Sequence, residues 1–302
     1  MQIQRAPAIS IGMPTYNGER FIARAIESVL GQTFADFELL ISDNASTDRT
    51  GDICVEYARR DPRVHYIRQP RNVGAEANFA CVRDLATAPL FAWAADDDER
   101  DATYFELLHA RMDDDAVALA FGTVESIDAS GALIRRYPAF RYESGHFRRS
   151  LRFFLDREDS AKACLIYGLF RKSVLQQVPF AAYYGSTVGQ DMHLVFDVMQ
   201  RGRIAIEPRA VFRPRVYPIQ FHRSTGWVRD TSGLPLTARI FRVVNTALRL
   251  DHIPYALAYA PIARGTLLRA TLALLAPVKY LQVLTCNAVA LAAALGRRLR
   301  GG

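Results

Sequence analysis

Strand and helix patterns alternate along the first hundred residues, and this alternation restricts the fold more than any other feature of the chain. Short apolar runs typical of buried strands occur at residues 8–13, 37–41, 64–67 and 90–94. Stretches with helical apolar spacing separate them, among them residues 21–30 and 74–85. Strands joined by helices of this length need right-handed crossovers and pair in a mostly parallel sheet. The sequence therefore predicts an α/β fold with helices on the faces of the sheet.

Three polar clusters stand at the carboxyl ends of predicted strands. Residues 15–17 (Thr-Tyr-Asn) follow the first strand, residues 43–44 (Asp-Asn) the second, and residues 96–98 (three aspartates) the fourth. In open α/β sheets, ligands bind in a crevice outside the carboxyl ends of the strands. We therefore expect all three clusters to open onto one edge of a single crevice.

The composition is that of a globular protein with a basic surplus. Half of the 302 residues are hydrophobic and 23% are charged, so one large domain, or a domain with an appendage, can bury a core. The net charge of +7 comes almost entirely from arginine, and no RNA-binding signature, zinc finger or helix-turn-helix pattern accompanies it. We expect no nucleic-acid partner, whereas contact with anionic lipid or a phosphorylated substrate stays open.

Cysteine spacing and the N-terminus both indicate a cytoplasmic location. The four cysteines, at positions 54, 81, 164 and 286, are far apart and form no C-x-x-C pair. Small buried thiols in a reducing compartment explain them better than disulfides or a zinc site. The N-terminal MQIQRAPAIS has no charged stretch followed by an apolar one, so we expect no secretory signal.

The acidic run Asp96-Asp97-Asp98 directly follows the apolar stretch FAWAA. Clustered carboxylates at a strand end have three common uses: binding a divalent cation, acid–base chemistry, or a solvated surface. Carboxylate oxygens suit Mg²⁺ or Mn²⁺, and such sites use one or two carboxylates together with substrate phosphates. A metal shared with a diphosphate would explain why so much negative charge is tolerated at the predicted crevice.

Several motifs, in order, resemble one known family. The stretch ISIGMPTYNGERFIARAIESVLGQTFADFELLISDNASTDRT, followed by NVGAEANF and FAWAADDDERDATYFE, is similar to the family 2 glycosyltransferases, which are inverting and use nucleotide sugars. The resemblance covers residues 8–125 well and continues to about residue 220. Several motifs at matching spacing are far more specific than a lone D-x-D.

The resemblance implies an α/β fold of the GT-A (Rossmann-like) type, with a mostly parallel sheet flanked by helices and a C-terminal helical tail. We expect a glycosyltransferase domain over residues 1–230. Residues 231–302 would then form a helical segment that could associate with a membrane.

The resemblance also implies donor-binding roles after the first two strands. Tyr16 matches the aromatic residue that lies against the nucleotide base, and Asp43 matches the acidic residue that accepts a hydrogen bond from the base imide. Pro14, Thr15 and Glu19 are expected to shape or line the same pocket. The structural alternative for Tyr16 is a turn residue packed on its own loop, and the alternative for Asp43 is a cap of the following helix.

Asp97 aligns with the aspartate that reaches the metal, and Asp96 with the one near the ribose or the metal. Asp98 is a further candidate, for the metal or for orienting the donor sugar. Two positions depart from the family pattern, since Asn44 stands where a second aspartate is common and Ala102 replaces a proline. The implied cofactor is Mg²⁺ or Mn²⁺, which would neutralise the diphosphate leaving group.

Inversion requires a base that deprotonates the acceptor hydroxyl opposite the leaving group. By resemblance this base is Asp191, at the start of the amphipathic pattern DMHLVFDVMQR, with helix capping as the structural alternative. Asp197, inside the same pattern, is the weaker candidate. Farther along, His222 and Arg223 could hold a diphosphate or could belong to an ordinary surface loop.

The leading hypothesis is an inverting glycosyltransferase that transfers a sugar from a nucleotide-diphosphate sugar to a glycan or lipid-linked acceptor in cell-envelope or exopolysaccharide assembly. Two alternatives are an inactive GT-A module that serves as a scaffold and a nucleotidyltransferase. A nucleotidyltransferase should carry a Gly-rich phosphate loop after the first strand, and PTYNGER matches such a loop poorly. A Rossmann dehydrogenase is excluded because no G-x-G-x-x-G follows the first strand. The Q-x-x-R-W of processive enzymes is missing, which argues against polymer synthesis through a membrane channel.

The last fifty residues are Leu-rich and punctuated by arginine, and no Asp or Glu follows Asp251. The uncharged stretch 280–296 is marginally short for a bilayer span. Pro261 and Pro277 are expected to break the segment into separate helices. We therefore expect peripheral contact with the cytoplasmic face of a membrane. Packing on the domain, or on a second subunit of a homo-oligomer, is the alternative.

Overall fold

The computed structural model describes residues 6–180, 189–217 and 252–300. The strands are β1 (Ile9–Thr15), β2 (Phe37–Asp43), β3 (Val64–Arg68), β4 (Leu90–Trp93), β5 (Glu99–Arg100), β6 (Val117–Ile127), β7 (Leu133–Arg136), β8 (Leu169–Arg171) and β9 (Arg203–Arg213). The helices are α1 (Ile22–Leu30), α2 (Thr50–Arg60), α3 (Ala75–Leu85), α4 (Tyr104–Arg111), α5 (His146–Leu155), α6 (Lys172–Leu175), α7 (Gln190–Arg201), α8 (His252–Ile262) and α9 (Thr266–Arg300). Two short 3₁₀ helices, Glu158–Ser160 and Lys162–Tyr167, follow α5.

The described strands form one sheet in the order β3-β2-β1-β4-β8-β6-β9-β5, with β7 paired to β6. The pairs β1–β2, β1–β4, β2–β3 and β6–β9 are parallel, and the short strands β5, β7 and β8 run antiparallel to their neighbours. The predicted mostly parallel α/β sheet is therefore confirmed.

The strand order reverses between β1 and β4. The chain moves outward from β1 to β2 and β3, and then returns to the other side of β1 to form β4. Loops on the two sides of such a reversal diverge and leave a crevice at the carboxyl ends of the strands. The turn after β1 and the acidic run after β4 both open onto this crevice.

The first strand is two residues longer than its apolar pattern and ends at Thr15, with all seven residues buried. The extension includes Pro14, which has no N–H to donate to a neighbouring strand. The last pair between β1 and β4 is Gly12 with Trp93, so Pro14 lies past the end of that ladder. No β1–β4 hydrogen bond is lost, and β1 continues beside β2 to the edge of the crevice.

The C-terminal helices pack on the domain through one face. Tyr255, Tyr259, Leu268, Leu272 and Val283 belong to the same buried core as the sheet. The segment Thr266–Thr285 is also long and apolar enough, by length and composition, to cross a membrane, with 28% of it buried in the structure.

The expectation that Pro277 breaks the C-terminal segment is wrong, because α9 continues through it from Thr266 to Arg300. A proline inside a helix costs roughly 3 kcal/mol. Buried contacts of Leu272, Ala276 and Lys279 on either side of Pro277 offset that cost. The break lies farther upstream, where Pro261 stands in the last turn of α8 and Gly265 adopts a φ of 100°.

Candidate active site

The loops after β1 and β2 are bound to each other. The Asn17 N–H donates to Ser46 Oγ at 2.9 Å, and Thr47 N–H donates to Asn17 Oδ1 at 2.8 Å. The Glu19 carboxylate accepts the Arg49 N–H at 3.0 Å, at the start of α2. Glu19 therefore braces the two loops, and together they form one wall of the crevice.

The acidic run meets β1 at the point where the strand order reverses. Thr15, the last residue of β1, donates from Oγ1 to Asp96 Oδ2 at 2.5 Å. A Cβ at Gly18 would stand 2.6 Å from the same oxygen, so a larger residue there would require the carboxylate to shift. The residue types at positions 15 and 18 thus hold Asp96 at the edge of the crevice.

Asp43, at the end of β2, is fully buried and accepts three hydrogen bonds. Ser46 N–H donates to Oδ1 at 2.8 Å, while the Tyr66 hydroxyl and Arg68 Nη1 donate to Oδ2 at 2.8 and 2.9 Å. The Arg68 side chain is 50% exposed. The buried Asp43 carboxylate is therefore paired with a guanidinium that reaches solvent.

Two further side chains extend this wall of the crevice. Tyr16 is 44% exposed beside the end of β1, which leaves its ring accessible to a planar ligand. The Asn44 amide is committed to the loop before α3, since Nδ2 donates to Asn72 Oδ1 and Oδ1 accepts the Val73 N–H, at 2.9 and 2.8 Å.

The remaining two carboxylates of the run contact the segment after β9. Asp97 Oδ2 accepts the Tyr217 hydroxyl at 2.8 Å, and Asp98 Oδ1 accepts the Arg215 N–H at 2.8 Å. The Arg215 side chain is fully buried, donates from Nε to the Asp97 carbonyl at 2.9 Å and pairs with Glu99. The run is therefore a braced turn rather than a solvated surface.

Burial and mutual repulsion govern the charges of this turn. Burial and the neighbouring Asp97 carboxylate raise the pKa of Asp96 to about 7. The same two causes hold the pKa of Asp98 well above its usual range, although the buried Arg100 guanidinium opposes the shift. A positive charge beside these carboxylates would relieve the repulsion between them.

The turn suits a divalent cation that is shared with a substrate. In the described part of the chain, no group of three or more His, Cys, Asp or Glu side chains is arranged to hold a cation. Mg²⁺ and Mn²⁺ prefer oxygen ligands and typically take one or two carboxylates with phosphate oxygens. Asp96 and Asp97 supply carboxylates of this kind, so the residues present fit the implied metal.

Asp191 lies in the first turn of α7, where its Oδ1 accepts the Met192 N–H at 2.9 Å. Burial raises the pKa of the Tyr167 hydroxyl, and the nearby charges of Asp98, Asp97 and Asp191 raise it further. All three carboxylates therefore lie within electrostatic reach of one phenol. Asp191 and the acidic turn therefore share the Tyr167 side chain as a neighbour.

The weaker candidate, Asp197, is 4% exposed and bound to Arg201 one helical turn away, with distances of 2.9 and 3.1 Å. A carboxylate held this way in the core is poorly placed to meet an acceptor. His222 and Arg223 lie outside the described residues.

Four residues of the site carried no recognisable sequence signal. Tyr66 and Arg68 lie on β3, where only Val64 is buried, so the pattern of the strand did not mark them as partners of Asp43. Arg215 and Tyr217 follow β9, more than a hundred residues after the turn that they brace.

A separate pocket of about 490 Å³ is lined by Arg83 and Asp84 at the end of α3 and by residues 175, 176 and 178–180. Helix α3 runs away from the carboxyl ends of the strands, so this pocket lies at the opposite edge of the sheet. It does not contain the paired carboxylates of the crevice.

Comparison with known proteins identifies the family. The model of glycosyl transferase family 2 matches residues 10–178, more than half of the chain. The chain belongs to this family. Chondroitin synthase of Escherichia coli is 36% identical over 134 residues, which is 44% of this chain and 19% of that enzyme. The matches cover 17–23% of the length of the first three curated relatives and 40–48% of two others, so the likeness concerns one part of those proteins.

Solved structures share the fold over nearly the whole chain. Residues 1–349 of S. aureus TarS, in complex with UDP-GlcNAc, align with a TM-score of 0.58 and 14% identity over 92% of this chain and 90% of that one. Mannosyltransferase PcManGT from Pyrobaculum calidifontis, in complex with GDP-Man and Mn²⁺, aligns with a TM-score of 0.53 and 16% identity over 99% and 89%. These likenesses confirm the predicted Rossmann-like GT-A fold.

Proposed function

We propose that the chain is an inverting glycosyltransferase that moves a sugar from a nucleotide-diphosphate sugar to an acceptor hydroxyl. The observation that supports this most is the contact of Thr15 with Asp96, which sets three carboxylates beside the crevice where the strand order reverses. Membership of glycosyl transferase family 2 supports it independently. Two proteins of similar fold bind sugar nucleotides, UDP-GlcNAc and GDP-Man.

The donor would bind along the wall formed by the ends of β1 and β2. The exposed Tyr16 ring lies against the base, and Asp43 with its partner Arg68 contacts the polar edge of the base. Pro14 and Thr15 shape the floor at the end of β1, and Glu19 keeps the two loops together.

The acidic turn would hold Mg²⁺ or Mn²⁺ through Asp97, together with Asp96 or Asp98. The cation, when bound, supplies Lewis acidity at the diphosphate leaving group. Other residues of the chain hold these carboxylates in position before a cation binds. Thr15 orients Asp96, the Tyr217 hydroxyl orients Asp97, and Arg215 fixes the backbone of the turn. Hydrogen bonds to the second oxygen of a ligating carboxylate commonly set its orientation.

Asp191 would act as the base. As the acceptor oxygen forms its bond to the anomeric carbon, the hydroxyl proton passes to the Asp191 carboxylate. The bond from that carbon to the diphosphate oxygen breaks on the opposite face, which inverts the configuration. The shared electrostatic reach of Asp191 and the acidic turn at Tyr167 supports this pairing.

The acceptor we propose is a glycan or a lipid-linked saccharide in cell-envelope or exopolysaccharide assembly. The C-terminal helices would bring the enzyme to the cytoplasmic face of the membrane, where a lipid-linked acceptor is found. The absence of Asp and Glu after Asp251 supports contact with anionic lipid.

A thermal-shift screen of nucleoside diphosphates and nucleotide sugars, with and without Mn²⁺, tests the proposed function. A ligand that binds only the folded state raises the melting temperature in proportion to its affinity and concentration. We expect one nucleoside diphosphate to give a shift that requires Mn²⁺ and is lost in Asp97→Ala. A panel without any shift, or a shift equal in EDTA, would contradict the proposal.

A further inference from the structure

The outer face of α9 is apolar and open to solvent. Leu267, Leu274, Val278 and Leu281 are 72%, 80%, 52% and 59% exposed. Their spacing of seven, four and three residues puts them on one stripe of the helix, which extends ~21 Å. Large exposed apolar surfaces on soluble domains mark interaction sites.

Helices α5 and α8 extend this apolar surface. Phe147 and Leu155 of α5 are 36% and 39% exposed, and Ile253 and Leu257 of α8 are 40% and 52% exposed. Of the fourteen exposed large hydrophobic side chains in the described part of the chain, four lie on α9, two on α5 and two on α8. We call α5, α8 and α9 together the helical layer.

Polar contacts align α5 with α9 at both of its ends. His146 Nε2 lies 3.4 Å from the Arg264 carbonyl, and Gln282 Nε2 donates to the Leu155 carbonyl at 2.7 Å. The exposed Phe147 therefore lies near the start of α9, and the exposed Leu155 lies near the turn of α9 that carries Leu281. The two helices thus lie side by side in the helical layer.

The helical layer carries positive charge only. The sequences of α5, α8 and α9 contain no Asp or Glu. Arg148 and Arg152 of α5 and Arg269 of α9 are exposed. Of the acidic residues that flank α5, Glu143 pairs with Arg111 and Asp159 pairs with Arg157. An apolar surface bordered by arginine is complementary to the headgroup region of an anionic bilayer.

We propose that the helical layer is the membrane-binding surface and that α5, a helix within the glycosyltransferase domain, is part of it. This inference rests on the membrane contact proposed above and gives it an orientation, with the helices lying flat on the cytoplasmic leaflet. The partner is a bilayer with anionic headgroups.

The buried face of α9 favours this orientation over a transmembrane one. Lys279 is fully buried and donates from Nζ to the Asp156 carbonyl at 2.7 Å, while Leu268, Leu272 and Val283 enter the core. Insertion across a bilayer would pull these side chains out of the domain. A bilayer surface covers the outer face and leaves the inner contacts intact.

The charges also favour lipid over a second copy of the chain. Two identical layers facing each other across a twofold axis would bring Arg148 and Arg152 of one copy toward the same positive surface of the other. The net charge of +7 adds to that repulsion. An anionic bilayer is instead attracted by the exposed arginines and by the net positive charge.

Liposome flotation of the full chain tests the inference, using vesicles of phosphatidylcholine alone and of phosphatidylcholine mixed with phosphatidylglycerol. We expect flotation only with the mixed vesicles and less of it at high salt. Arg148→Glu with Arg152→Glu changes α5 alone, and Leu267→Gln with Leu274→Gln changes α9 alone. Each pair should weaken binding about tenfold or more. Arg24→Glu with Arg59→Glu, on α1 and α2, is the matched control and should float like the wild type.

The outcomes separate the two proposals. If the α9 pair loses flotation and the α5 pair does not, the role of α5 is wrong and the contact of the C-terminal helices stands. If the full chain never floats, the lipid inference is overturned. If sedimentation shows a dimer that Leu274→Gln disrupts, the layer binds a second copy and the lipid inference is likewise overturned. Nucleotide binding in solution, measured on the same samples, reports on the glycosyltransferase proposal independently.

Discussion

At the scale of single residues, three adjacent carboxylates are held in three different ways. Asp98 is 5% exposed and bound to the Arg215 backbone, Asp96 is bound to Thr15, and Asp97 is bound to Tyr217. Burial and mutual repulsion raise the pKa values of Asp96 and Asp98. Raised pKa values favour protons on this turn, and a bound cation would compete with them.

The raised pKa of Asp96 predicts a pH-dependent stability for the metal-free protein. Between about pH 4, where an unfolded aspartate ionises, and about pH 7, the folded state keeps a proton that the unfolded state has lost. Stability from this group therefore falls as the pH rises through that window. Asp96→Asn should gain stability relative to the wild type from pH 4 to 7 and then level off, as measured by urea unfolding in EDTA. If the difference in unfolding free energy between Asp96→Asn and the wild type does not change with pH, Asp96 has an ordinary pKa.

The proposed base predicts a separation of turnover from binding. Asp191→Asn keeps the shape of the side chain and its hydrogen bond to Met192 but removes the basicity. We expect kcat to fall by about a hundredfold or more, with donor affinity nearly unchanged in calorimetry. Wild-type turnover in this variant would move the role to another residue.

The residues predicted from the sequence were those that directly follow a strand. Thr15, Asp43 and Asp97 follow strands with clear apolar patterns, so their meeting at one edge could be predicted. Tyr217 could not, because its contact with Asp97 depends on the pairing of Glu99 with Arg213 between β5 and β9. Strand β5 has only two residues, which is too short to show a strand periodicity in the sequence.

At the scale of elements, the continuous α9 shows how tertiary contacts override a local signal. Pro277 predicts a break, and in isolation it would weaken the helix. Lys279 and Gln282, within two turns after it, donate to the Asp156 and Leu155 carbonyls at the end of α5. Lys162 also donates to the Asp156 carbonyl, at 2.9 Å. These contacts cap α5 and fasten α9 to it, and no pattern within α9 alone reveals them.

Lys279 therefore has a structural role that a matched pair of variants can isolate. Lys279→Ala removes the buried donor and should lower the free energy of unfolding by about 1–3 kcal/mol. Leu281→Ala, two residues away and 59% exposed, should change it by less than about 0.5 kcal/mol. Urea denaturation of both variants measures the difference. Equal effects would mean that α9 is not fastened through Lys279.

At the scale of the whole molecule, α7 joins the proposed site to the helical layer. Its first turn carries Asp191, and farther along His193 Nε2 lies 3.1 Å from the Tyr255 carbonyl of α8. On α5, Arg149 donates to the Met199 carbonyl of α7 at 2.9 Å. A membrane that fixes the helical layer would thereby also fix the proposed base.

The sequence predicted the first half of the fold more completely than the second half. Residues 8–94 alternate strand and helix, and their parallel order follows from the right-handed crossover. The second half pairs β6 with β9 across some eighty residues and inserts the three-residue β8 between β4 and β6. Pairings this distant are set by burial on both faces of the sheet, which local periodicity does not encode.

Release of nucleoside diphosphate from a nucleotide sugar tests whether the chain catalyses the proposed metal-dependent sugar transfer. The full chain, incubated with the sugar nucleotide chosen by the thermal-shift screen and with Mn²⁺, should release the diphosphate, and an acceptor glycan should accelerate the release. Asp97→Ala should melt like the wild type and release none, and EDTA should stop the wild-type reaction. Release at the same rate in EDTA and in Asp97→Ala, or none from any nucleotide sugar, would contradict the account.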